Sequence, residues 1–245
     1  MTHYEWFRWI TFPIMPAHLQ TVRRDIRKLI NTRGKKEGVL SILDVGGRKS
    51  PYTIGLKTDI TLLDVPQEEG TREALNLGFT KDILSTIQQK RSNIKDLIIQ
   101  DMTNSTLNDN SYDAVVCIEV IEHVFEDALF VENISKVINK GGWAYFTTPN
   151  GDYIKNEGAD KNPDHIRHYT KVQLQTLLEK YFDRVDVHYG VKTGKYRVQG
   201  LKSYSLKNPI RTLLSIFSNI INNFQSKGVE NNSQKTAHLI AIGYK

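Results

Sequence analysis

Along the chain, short apolar runs alternate with amphipathic stretches. Residues 39–45 (VLSILDV) end in Asp and meet Gly46-Gly47, the mark of a buried strand entering a turn. Four further runs have the same form: 59–65 (DITLLDV), 94–101 (IKDLIIQD), 112–119 (YDAVVCIE) and 142–148 (GWAYFTT). Between them, 74–90 shows helical spacing around Gly78, and Asp127–Asn139 sets Leu129, Phe130, Ile134, Val137 and Ile138 on one helical face. Thr170–Tyr181 opens on a Thr N-cap and repeats Leu174, Leu177 and Leu178. Strands alternating with helices predict parallel βαβ units with right-handed crossovers. The first crossover, 46–59, is so short that any helix in it is brief. Two late runs, 184–191 (RVDVHYGV) and 238–244 (HLIAIGY), complete the sheet.

Outside this pattern lie two appendages. Residues 1–38 read as a helical cap striped by Leu19, Val22, Ile26, Leu29 and Ile30. Residues 39–245 read as one α/β domain with an insertion at 192–237. Within the insertion, 208–225 gathers Ile210, Leu213, Leu214, Ile216, Phe217, Ile220, Ile221 and Phe224 on one helical face. The opposite face (Arg211, Thr212, Ser215, Ser218, Asn219, Asn222, Asn223) is short of Lys and Arg. That favours a lid packed on a substrate pocket or on the cap, and leaves only weak peripheral association with membranes.

Composition narrows the class. The 245 residues suit one large domain. No apolar run reaches the roughly 18 residues that span a bilayer, and the aromatic N-terminus lacks the order of a signal peptide. The single cysteine, Cys117, excludes an internal disulfide and a multi-Cys zinc site, so a reducing cytoplasm is the default location. The net charge of +6 is uneven. Residues 1–38 hold eight Lys/Arg against three Asp/Glu, 39–191 sixteen against twenty-three, and 192–245 nine against one. A basic site for nucleic acid would therefore have to involve the ends.

Ligands of open α/β sheets bind at the carboxyl ends of the strands. There the sequence offers Asp44-Val45-Gly46-Gly47-Arg48-Lys49-Ser50 and, twenty residues beyond Asp44, Asp64. A carboxylate at that spacing suits a ribose diol. Arg48 and Ser50 stand where a dinucleotide loop wants glycine, so a pyrophosphate is poorly served. An adenosine bearing a cation and one carboxylate is better served, and S-adenosylmethionine is such a ligand.

The order ILDVGG, LLD, QDM, DNSYDAVVCIEVIEHV, GGWAYFTTPN, DHIRHYT resembles the class I S-adenosylmethionine-dependent methyltransferases, most closely the ubiquinone-biosynthesis O-methyltransferase group. The resemblance covers roughly 39–191, with a last strand at 238–244. It implies a Rossmann-like, mostly parallel seven-stranded sheet in the order 3-2-1-4-5-7-6, with helices on both faces. It implies that Asp44, Gly46 and Gly47 border the methionine part and that Asp64 holds the ribose. It also implies that Asp101 meets the adenine amine with Met102 on the ring, and that Ile118 and Glu119 flank the cofactor. Arg48 departs from the family pattern, and its guanidinium suits the methionine carboxylate.

Two constellations are candidates for the acceptor side, where a hydroxyl must lose its proton. In Glu119-x-x-Glu122-His123, a helical turn would set two carboxylates and an imidazole on one face. The loop 164–170 (DHIRHYT) adds His165, while His168 reads as structural. His123 and His165 are the candidate catalytic residues. Glu119, Glu122, His123 and His165 together would suit a divalent metal (Mg, Mn or Zn), and resemble the metal site of small-RNA 2′-O-methyltransferases. His3, His18, His188 and His238 show no companions. The leading expectation is O-methylation of a small-molecule or glycan acceptor. A metal-assisted RNA 2′-O-methyltransferase and a non-catalytic cofactor-binding relative are the competitors. The absence of an RNA-binding module weighs against nucleic acid as a partner.

Overall fold

The computed structural model describes residues 1–33, 38–47, 50–66, 83–158, 161–202 and 208–245. Its centre is a seven-stranded sheet in the order β3-β2-β1-β4-β5-β7-β6. The strands are β1 (Ser41–Val45), β2 (Asp59–Asp64), β3 (Ile94–Ile99), β4 (Tyr112–Ile118), β5 (Ile138–Pro149), β6 (Arg184–Lys192) and β7 (Thr236–Tyr244). The first five run parallel, and β7 runs antiparallel between β5 and β6. This is the expected Rossmann-like order.

Both faces of the sheet are covered, which is why the strands read as continuous apolar runs. Leu43, Val45, Val115, Cys117 and Phe146 point to one face. There they meet Phe130, Val131 and Ile134 of one helix (Asp127–Val137) and Leu174, Leu177 and Leu178 of another (Lys171–Leu178). The alternate residues Ile42, Ile60, Ala114, Val116 and Trp143 point to the other face and bury Val22, Ile26 and Leu29 of an N-terminal helix. Each Val, Leu, Ile or Phe side chain fully buried there contributes about 1.5–3 kcal/mol. Tyr145, fully buried, donates its hydroxyl to Asp25 at 3.0 Å and ties the same helix to the sheet.

In chain order the helices are α1 (His3–Thr11), α2 (Ala17–Arg33), α3 (Ile83–Lys90), α4 (Asp127–Val137), α5 (Lys171–Leu178), α6 (Lys195–Gly200) and α7 (Pro209–Gln225). Helix α5 starts at the expected Thr170, whose hydroxyl accepts from Gln173 N–H while the Gln173 side chain accepts from Thr170 N–H. Most of the expected helical region 74–90 lies outside the described residues; its end is α3. Strand β5 begins at Ile138, earlier than the apolar run suggests. Ile138 pairs with Tyr112 before the register shifts to Ala114–Trp143, so the strand starts ahead of its glycines.

Helix α7 lies on the N-terminal cap. It packs against α6, α2 and the 3-10 turn Phe12–Ile14, but with its polar side. Ser215, Ser218, Asn219 and Asn222 are buried, and Ile210, Leu213, Leu214, Phe217 and Phe224 are exposed. The periodicity identified two faces; hydrogen bonds to the chain beneath decided which one turned inward. Among the described residues no helix is long and apolar enough to cross a membrane.

Candidate active site

Parallel registry lines up the exits of β1, β2, β3 and β4 along one edge of the sheet. At β1, Gly46 takes a left-handed backbone (φ 70°) and its N–H donates to Leu63 O at 2.8 Å. A Cβ there would lie 2.6 Å from Val120 Cγ2, and one on Gly47 would lie 2.9 Å from Leu62 Cδ2. The two glycines let the loop pass closely over the exit of β4. Arg48 lies outside the described residues.

Asp44 is buried and accepts a hydrogen bond from the Thr53 hydroxyl at 2.5 Å; Arg91 donates to that same hydroxyl at 2.7 Å. Burial raises the Asp44 carboxyl, with Arg91 and Thr53 opposing. The residue thus braces the glycine turn from within. Asp64 stands half-buried at the end of β2, its Oδ1 accepting from Val65 N–H at 2.9 Å. Asp101 is exposed and caps the 3-10 turn Met102–Asn104, accepting from Thr103 N–H at 2.8 Å. Met102 and Ile118 are both buried, Met102 in one core cluster beside Leu43 and Val45, Ile118 in the other.

Glu119 does not share a helical face with Glu122 and His123. Only Ile121–His123 form a turn, of 3-10 type, and Glu119 precedes it in a left-handed conformation (φ 54°). Its N–H still belongs to the sheet, donating to Thr147 O at 3.0 Å. A three-residue turn has no i+3 or i+4 neighbours to offer, so the two carboxylates part. Glu119 Oε1 accepts from Thr147 Oγ1 at 2.7 Å and from His238 Nδ1 at 3.1 Å, with His18 Nε2 at 3.9 Å.

His18 and His238 therefore do have companions. Their rings stack at 4.0 Å between centroids. Arg197 Nη2 lies 3.1 Å from His238 Nε2. A guanidinium only donates, so Nε2 is the acceptor and Nδ1 carries the proton toward Glu119. Neither ring nitrogen of His18 has a hydrogen-bond partner, although the residue is only 9% exposed. Burial, then the neighbouring His238, pushes His18 down to about 3, so its ring is neutral. Burial alone would raise the Glu119 carboxyl; the hydrogen bonds from His238 and Thr147 oppose it and hold the group below the usual carboxylate range.

These side chains line a cavity of about 220 Å³, completed by Tyr52, Arg197, Asn219 and Asn222. Burial and the Glu119 charge raise the Tyr52 phenol, so it stays a donor. Neither His123 nor His165 lines this cavity. A larger open groove along α2, about 540 Å³, is lined by Arg24, Arg27 and Lys28 and by no carboxylate or imidazole.

The second cluster joins Glu122, His123 and His165, with ligand-type atoms within 4.8 Å of one another. The loop bearing His165 is laid against Glu122 by Ile166 N–H, which donates to Glu122 O at 2.8 Å, and is pinned by Arg167 to Asp127. Hydrogen bonds fix both tautomers. His123 Nδ1 donates to Asp164 O at 2.7 Å, which leaves Nε2 as the lone pair. His168 Nδ1 donates to Ile154 O at 2.8 Å, so its Nε2 accepts from His165 Nδ1 at 2.7 Å, and His165 also keeps Nε2 free. His168 is thus a support. Glu122 is fully buried with neither carboxylate oxygen in a hydrogen bond of normal geometry; Thr148 is a polar neighbour. Burial, then the Glu119 charge, raises its carboxyl well above the ordinary range.

A family model described as a methyltransferase domain matches residues 18–181. The mitochondrial ubiquinone biosynthesis O-methyltransferase of Dictyostelium discoideum is 26% identical over 156 residues, which are 59% of this chain and 48% of that protein. The chain thus spans about half the length of this curated relative. Among solved structures, an S-adenosylmethionine-dependent methyltransferase of Thermotoga maritima superposes with a TM-score of 0.56 at 14% identity, covering 98% of this chain and 95% of that one. One from Archaeoglobus fulgidus gives 0.55 at 14% identity, over 93% and 94%. At such identities the structures attest the fold.

Proposed function

Because the chain belongs to the family of S-adenosylmethionine-dependent methyltransferases, we propose that it methylates a hydroxyl group of a small-molecule or glycan acceptor held in the His18–Glu119–His238 cavity. The observation that carries this reading is the buried, unpartnered imidazole of His18 beside the Glu119 carboxylate. When bound, S-adenosylmethionine supplies an electrophilic methyl group on a sulfonium. The strand-edge residues fit such a ligand. Gly46 and Gly47 let the turn lie close against Val120 and Leu62 at the strand edge, and Asp64 offers a carboxylate to the ribose hydroxyls.

On the acceptor side, Tyr52, Asn219 and Asn222 offer polar atoms that orient the acceptor, and orientation supplies much of the rate of a displacement. The lone pair of His238 is held by Arg197, so His18 is the ring that orients the acceptor hydroxyl and takes its proton as the oxygen–methyl bond forms, when that oxygen is far more acidic than a free hydroxyl. The Glu119 carboxylate opposes part of the burial that keeps the ring neutral, and His238 holds Glu119 in place. Glu122, His123 and His165 fit a divalent cation, because each keeps an unsatisfied donor atom and both imidazoles are oriented by hydrogen bonds from the other nitrogen. Their mixed N/O set suits zinc or manganese better than magnesium. A cation there would lower the pKa of a nearby hydroxyl.

The test is an incubation of the full chain with methyl-labelled S-adenosylmethionine and a panel of phenols, alcohols, sugars and amines. Label is expected on oxygen. Label confined to nitrogen or carbon overturns the reading.

A further inference from the structure

Helix α7 turns its apolar face to solvent. Ile210, Leu213, Phe217 and Phe224 are each at least 61% exposed, while Ser215, Ser218, Asn219 and Asn222 on the opposite face are at most 5%. The orientation is fixed by specific bonds. Ser215 Oγ donates to Gly200 O at 2.9 Å, Asn219 Nδ2 to Ile14 O at 3.1 Å, and Asn222 Nδ2 to Lys192 O at 2.7 Å. Gly200 is fitted to this packing, since a Cβ there would lie 2.0 Å from Asn219 Oδ1. Rolling the helix over would bury its apolar stripe only by orphaning these amides and hydroxyls away from water. Turn Phe12–Ile14, to which Asn219 is bonded, directly follows α1. That helix carries Trp6 and Trp9 with more than half their surface exposed.

Charge identifies the occupant of this face. Residues 192–245 carry nine Lys/Arg and one Asp/Glu. Lys195, Lys202, Arg211 and Lys227 are exposed on α6, α7 and the segments adjoining them. A second copy docking through the same patch would set cations against cations. Anionic lipid headgroups meet them with opposite charge, and exposed tryptophans favour the membrane–water boundary. We propose that α7, together with α1, lies in the surface of an anionic lipid bilayer, with its apolar stripe among the acyl chains. The inward side of α7 contributes Asn219 and Asn222 to the cavity, so one helix is both cavity wall and membrane contact.

The test is co-sedimentation of the full chain with vesicles of phosphatidylcholine alone or with one part in three replaced by phosphatidylglycerol. Tryptophan emission is read in parallel; Trp143 is buried, so a blue shift reports Trp6 and Trp9. Binding to the anionic vesicles is expected, with partitioning about tenfold weaker on neutral ones. The double variant Leu213→Gln/Phe217→Gln alters only exposed positions, and its fold is checked by circular dichroism. It should lose about tenfold or more in partitioning. No binding to anionic vesicles, or equal binding by the variant, overturns the proposal. So does a lipid-free dimer that the double variant dissociates, which assigns the face to a second copy instead.

Discussion

The Glu119 carboxylate accepts a hydrogen bond from His238 Nδ1 at 3.1 Å, joining the exit of β4 to the start of β7. Arg197 holds the far nitrogen of the same ring. His18, the Glu119 carboxylate and the His238 imidazole thus meet from three distant segments of the chain. If His18 takes the acceptor proton, His18→Asn should lower kcat by about 10²–10⁴-fold, with affinity for S-adenosylhomocysteine unchanged. Steady-state kinetics and calorimetry on the same preparation check both halves.

His18 also makes a pH prediction. Its folded value is depressed to about 3 from 6.5. Between those values the unfolded chain takes up a proton that the folded chain refuses, so acid favours unfolding. The wild type should keep its full stability above pH 6.5 and lose up to about 4 kcal/mol from this residue as pH falls toward 3. Urea titrations at pH 7.5 and 4.5 should show a smaller acid loss in His18→Asn than in the wild type.

Glu122, His123 and His165 predict a cation site of one ion per chain. Zinc or manganese titrated into chelator-treated protein should bind with measurable heat, and Glu122→Gln and His165→Ala should each weaken it by about 10–100-fold. Metal binding equal in both variants and the wild type would remove the site.

Gly46→Ala forces a Cβ into a left-handed position 2.6 Å from Val120 Cγ2. The expected cost is about 1–3 kcal/mol of stability, read by thermal or urea unfolding. The displaced loop should also weaken S-adenosylhomocysteine binding. Val120→Ala, which makes room, should restore part of the loss.

The alternation of apolar runs made the sheet legible, because a parallel strand buried on both faces leaves few polar residues. The glycine pair and the strand-terminal carboxylates likewise marked the sheet edge where the strand exits line up. The two histidine clusters were legible in part. Glu122, His123 and His165 meet because two loops end over the same sheet edge. His18 and His238 looked solitary because no local spacing links them to Glu119. The order of the sheet contained the missing signal. An antiparallel β7 beside β5 begins where the parallel strands end, and Pro149 pairs with His238. Periodicity likewise found the two faces of α7 but could not say which side the chain beneath would bond.

Binding of the methyl donor tests the central claim most directly. Isothermal calorimetry of the full chain with S-adenosylmethionine should show one saturable site per chain. Asp64→Asn should weaken it by about 10–100-fold, the loss of hydrogen bonds to a charged acceptor. No heat of binding at millimolar S-adenosylmethionine, or equal affinity in Asp64→Asn, would contradict the account.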